Sequence, residues 1–137
     1  MKKSKLFISA FFCGAALFAE TPVSSKTVPL TPEWRKTENN TFFIKRTAAH
    51  GGTASLNTEA AVKPRTFYRI DWDARGNITA NGGQASYMIK TGTTIFPGFE
   101  VSKEWNHYQN YIYSGDSSSA AFNVYLTKNQ EQSLELR

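Results

Sequence analysis

The chain is poor in the side chains that build common catalytic and metal sites. Its 137 residues include one cysteine and two histidines. One cysteine excludes an internal disulfide, and with no Cys pair or His-x-x-x-His spacing there is no zinc ligand set. No serine stands in Gly-x-Ser-x-Gly, so the nucleophile-elbow signature is missing. No segment sustains apolar residues at helical spacing, which leaves no helix for a phosphate loop to open. The one long apolar run, Leu6 to Phe18, falls short of the roughly 20 residues a membrane helix needs.

That run has the layout of a targeting signal. Lys2, Lys3 and Lys5 precede it, and Leu17-Phe18-Ala19 offers a small residue at a cleavage position ahead of Glu20. Residues 1–19 are therefore expected to be a cleaved signal peptide, with a secreted, periplasmic or cell-surface destination and no membrane contact afterwards. The alternatives are an uncleaved anchor and, through Cys13, a lipoprotein, although Phe12 fills the preceding position where a small residue is expected. Removing the leader leaves 13 of 16 Lys and Arg against 11 acids, so net charge falls from +5 to +2. The basic balance belongs to the leader, and nucleic acid is not an expected partner. Residues 20–31, broken by Pro22 and Pro29, read as a linker or arm ahead of a single domain at 32–137.

Within that domain the pattern is one of strands. In Thr66–Gly76, Tyr68, Ile70, Trp72 and Ala74 alternate with Arg69, Asp71, Asp73 and Arg75. A strand sends successive side chains to opposite faces, so this makes one apolar and one charged face. Lys63-Pro64 and Gly76-Asn77 are expected to bound it as turns. Similar alternation marks 41–47, 53–59, 84–91, 105–113 and 120–127, with Leu134 and Leu136 in a last strand. Short strands separated by His50-Gly51-Gly52, Asn81-Gly82-Gly83 and Ser114–Ser119 indicate an all-β fold, an antiparallel β-sandwich. Trp34 is expected to pack at the domain edge.

Asp71 and Asp73 are the candidate catalytic carboxylates, since two residues on one strand face lie roughly 6–7 Å apart. Arg69 and Arg75 flank them, and a guanidinium favours the charged form that a general acid must avoid. A solvated charge ladder fits better, and no catalytic residue is assigned. His50 and His107 read as isolated turn or surface histidines. Calcium held by Asp71, Asp73 or Asp116 stays open, without EF-hand spacing; no other cofactor is expected. Beyond the leader, three Trp, six Tyr and six Phe remain. Tyr68, Trp72, Tyr87, Trp105, Tyr108 and Phe122 are assigned to the core. Tyr111, Tyr113 and Tyr125 fall on the opposite faces. With Asn123, Gln109, Arg69 and Asp71 they form the candidate ligand surface. Flat rings stack on sugar C–H faces, while amides and charges pair with hydroxyls. The alternative is that the tyrosines merely stabilise an exposed sheet face.

Gly52-Thr-Ala-Ser-Leu56, Val62 through Arg75, Glu104-Trp-Asn-His-Tyr108 and Ala121-Phe-Asn-Val-Tyr-Leu126 together resemble the galactose-binding-like jelly rolls. Within these, the chain is similar over residues 30–137 to the carbohydrate-binding modules found beside bacterial glycoside hydrolases. The resemblance implies a jelly roll that binds a polysaccharide without catalysis, with a hydrolase domain in the same or a neighbouring chain as a further partner. A structural or adhesive domain contacting proteins is the competing function. Two departures stand out. The Asn-Pro-x-Phe-Glu opening is replaced by Leu30-Thr-Pro-Glu-Trp34, and the last strand stops at Arg137, so the chain is either a fragment or shortened in that strand.

Overall fold

The computed structural model describes residues 7–11, 22–47, 49–78, 84–127 and 131–137, which contain thirteen strands and no helix. In chain order these are β1 (Phe7–Phe11), β2 (Pro22–Val23), β3 (Ser25–Pro29), β4 (Arg35–Lys36), β5 (Phe42–Arg46), β6 (Thr53–Ala61), β7 (Phe67–Ile78), β8 (Gln84–Lys90), β9 (Thr94–Ile95), β10 (Gly98–Glu100), β11 (Asn106–Tyr113), β12 (Ser119–Thr127) and β13 (Gln132–Leu136). They form two antiparallel sheets, as the alternation predicts. The first has the order β2-β1-β7-β13-β5-β4, with β11 also on β7; the second has β10-β8-β12-β6-β3, with β9 on β8.

The long strand β7 organises the first sheet. On one edge β11 pairs along Phe67–Ala74; on the other, β1 takes Phe67–Asp71 and β13 takes Ala74–Ile78. Tyr68, Ile70, Trp72 and Ala74 are all buried. Burying each large apolar side chain contributes about 1.5–3 kcal/mol. Trp72 is the hub between the sheets, with ring centroids 4.9 Å from Phe122, 5.0 Å from Tyr87 and 5.5 Å from Tyr108.

The structure departs from the sequence reading in two places, at Gly76 and in the expected linker. Gly76 and Asn77 do not end β7, which runs on to Ile78. Gly76 is there because β13 passes too close for a side chain: a Cβ would sit 2.1 Å from the Ser133 carbonyl oxygen. The expected linker contributes β3, paired with β6 from Ser25↔Ala60 to Pro29↔Leu56. Thr27 and Val28 favour a strand, and Pro29 ends one at a sheet edge, where its missing N–H costs nothing. The last strand, β13, is an inner strand bonded to β5 and β7 on its two edges. Phe7–Phe11, inside the expected leader, is strand β1. The basic leader residues, Cys13, Ala19 and the Asn81–Gly83 turn lie outside the described residues.

Trp34 is deeply buried, further in than an edge position requires. Arg46 is buried too, although it is charged. Its Nη1 donates to the Gly52 and Leu126 carbonyls and its Nη2 to Gly51, and Glu33 lies 3.5 Å away. It holds the β5–β6 turn against the end of β12.

Candidate functional site

Of the seven candidate ligand residues, the structure gathers five. Arg69 and Asp71 on β7, and Gln109, Tyr111 and Tyr113 on β11, share the outer face of the first sheet. The register Tyr113↔Phe67, Tyr111↔Arg69, Gln109↔Asp71 and His107↔Asp73 sets them in two adjacent rows. Cross-strand partners in an antiparallel pair point to the same face.

One end of this strip is aromatic. Phe67, Tyr111 and Tyr113 are 49%, 56% and 47% exposed, unusual values for large rings. Phe67 and Tyr113 meet at 4.8 Å between centroids. The Tyr111 hydroxyl donates to Gln109 Oε1 at 3.1 Å.

The rest of the strip is polar and internally paired. Arg69 Nε lies 2.8 Å from Asp71 Oδ2, while Gln109 Nε2 and His107 Nε2 reach Asp71 Oδ1 at 3.2 and 3.3 Å. His107 Nδ1 lies 2.9 Å from Asp73 Oδ1, and Arg137 Nε 3.1 Å from Asp73 Oδ2. Arg75 pairs with Glu135 at 2.8 Å and not with Asp73. The guanidinium carbons of Arg75 and Arg137 lie over the Trp105 ring, 4.7 and 4.3 Å from its centroid. Every oxygen of Asp71 and Asp73 therefore has a partner. Asp116 sits at the distant Ser114–Ser119 turn beside Arg65. Among the described residues no three His, Cys, Asp or Glu side chains gather as a metal would require.

Tyr125 and Asn123 do not join this strip. They lie on β12, on the outer face of the second sheet, across the core from the other five. Asn123 is only 9% exposed, like its register partner Asn57. Its Nδ2 donates to the Tyr125 hydroxyl at 2.9 Å, and Phe96 packs on the Tyr125 ring at 5.4 Å. The sequence shows correctly that these side chains point away from the core. It does not show that two outer faces exist, or that Asn123 is buried on this one.

The sequence reading missed His107, Trp105 and Phe67. Counting by twos finds two of them: His107, Gln109, Tyr111 and Tyr113 share one parity, and Trp105 shares it too, which contradicts its assignment to the core. Tyr108 has the other parity, faces inward and donates its hydroxyl to the Glu100 carbonyl. Burial, and after it the Glu100 charge, raise the Tyr108 hydroxyl above its ordinary value of 10.0.

The two antiparallel sheets form an all-β sandwich whose fold is similar to the jelly rolls of solved carbohydrate-binding modules. Among solved structures it is similar to a family 4 carbohydrate-binding module, with a TM-score of 0.61 at 9% identity over 79% of this chain and 73% of that one. It is also similar to a family 16 module (TM-score 0.53, 15% identity, 77% of each chain). A family 61 module in complex with β-1,4-galactotriose matches with a TM-score of 0.53 at 9% identity, over 82% of this chain and 87% of that one. At these identities the likeness is one of fold. No protein-family model matches the chain, and the comparison with curated proteins finds no match.

Proposed function

We propose that the chain is a secreted, non-catalytic carbohydrate-binding module whose binding face is the outer strip of β7 and β11. The observation that carries this is the row of exposed rings, Phe67, Tyr111 and Tyr113, running into a fixed set of polar groups. Rings stack on the C–H faces of a sugar, and the Gln109 amide, Tyr111 hydroxyl and Asp71 carboxylate meet its hydroxyls. The groups are held in place by one another before a ligand arrives, so little side-chain freedom is lost on binding. The modules named above support the reading through their fold.

A role beside a glycoside hydrolase domain, in the same or a neighbouring chain, belongs to this proposal. So does the absence of catalysis: Asp71→Asn and Asp73→Asn are expected to change no hydrolytic activity. Retardation of the folded protein in polyacrylamide gels containing single polysaccharides tests the proposal. Slowed migration on at least one polysaccharide is expected. Unchanged migration on all of them, with a native melting curve, rejects it in favour of an adhesive domain that contacts proteins.

A further inference from the structure

A second site lies inside the sandwich. Interiors are packed with few voids larger than one water, yet here a cavity of about 320 Å³ opens between the sheets. Among the described residues it lies at the sandwich edge between strands β3 and β4. Phe42, Leu56, Trp72, Phe122, Val124 and Leu136 give it an apolar wall. At about 30 Å³ for each small group, the volume of a liquid water, it has room for roughly ten heavy atoms.

Two polar features show what those atoms should be. Trp72 is 3% exposed and its indole Nε1 has no acceptor, so a buried donor at the cavity wall is unsatisfied. Lys36 stands on the rim with no carboxylate partner among the described residues, its Nζ 5.9 Å from the Phe42 ring centroid. The other rim cation, Arg137, is already paired with Asp73. The Thr27 and Thr58 hydroxyls satisfy each other at 2.8 Å. Among the described residues the cavity thus presents an apolar body, an unused N–H donor and an unpaired cation, with no acidic side chain in its lining.

We infer that this cavity binds a small amphipathic carboxylate, its apolar part against the wall formed by Trp72, Phe122 and Val124 and its charge at Lys36. This site is separate from the glycan strip and does not depend on it. The probe is 3-phenylpropionate, measured by titration calorimetry against the neutral 3-phenylpropan-1-ol. The acid is expected to bind the wild-type protein, and Lys36→Met to weaken it about tenfold while leaving the alcohol unchanged. Val124→Phe, which fills the cavity, is expected to abolish binding of both. If Val124→Phe does not fold, Lys36→Met, an exposed substitution, decides alone. No binding of the acid to the wild-type protein, or unchanged acid affinity in Lys36→Met, overturns the proposal. So does unchanged binding in a folded Val124→Phe. Polysaccharide retardation should be unaffected by either variant, which separates this site from the strip.

Discussion

The outer faces of the two sheets are built by the same alternation and end in opposite states. On the first sheet, β7 and β11 leave Phe67, Tyr111 and Tyr113 about half exposed beside ion pairs that neutralise one another. On the second, Asn57 and Asn123 are nearly as buried as the core, and Phe96 from the 91–98 connection lies over Tyr125. A strand's period of two decides which side a residue takes. What then crosses that side is decided by connections far away in the chain. The proposed binding face rests on this difference: the first sheet sets three exposed rings beside polar groups, whereas the second pairs Tyr125 with Phe96 over buried asparagines.

Substitutions can break this contrast, and the largest effect should come from the rings. Tyr111→Ala with Tyr113→Ala is expected to weaken polysaccharide affinity about a hundredfold, each buried ring edge counting for about 1–2 kcal/mol, with little change in melting temperature. Affinity electrophoresis and differential scanning calorimetry read the two parts. Next comes the scaffold beneath them. Gly76→Ala must push β13 from β7 and should cost at least about 2 kcal/mol in denaturant unfolding. Removing Arg46 belongs to the same order: Arg46→Ala strands three carbonyls and Glu33, for a loss of about 3 kcal/mol. Smaller is Asp71→Asn, which loosens Arg69, Gln109 and His107 together; a few-fold loss of glycan affinity is expected, with under about 1 kcal/mol of stability because the pairs are partly solvated.

Least affected by neutral conditions is Tyr108. Its hydroxyl is raised by burial, so folding favours the neutral form. The stability this contributes is present below the ordinary value of 10.0 and is lost as pH rises through the raised one. Chemical denaturation from about pH 9 to about pH 12 should therefore show a steeper fall in the wild-type protein than in Tyr108→Phe.

Much of the fold was legible because burial here follows local alternation. The inner series of β7, Tyr68 to Ala74, and of β12, Phe122 to Leu126, were read from sequence and are buried. Two failures have one cause. Gly76 reads as a turn and Trp105 as core, and both depend on neighbours that only the folded sheet brings in: β13 beside Gly76, and the guanidiniums of Arg75 and Arg137 over Trp105. Five of the seven candidate ligand residues came together because β7 and β11 are register partners. Tyr125 and Asn123 fell away because no rule of alternation tells one sheet's outer face from the other's. The cavity beside Trp72 left no trace in the sequence, since it is a mismatch of packed volumes.

The central claim, that binding belongs to the first sheet's outer face, is tested by comparing Tyr111→Ala with Tyr125→Ala on one polysaccharide that retards the wild-type protein. Migration in the Tyr111→Ala variant should approach that in a gel without polysaccharide, while Tyr125→Ala should be slowed like wild type. The reverse, with retardation kept in Tyr111→Ala and lost in a folded Tyr125→Ala, would place the site on the second sheet and contradict it.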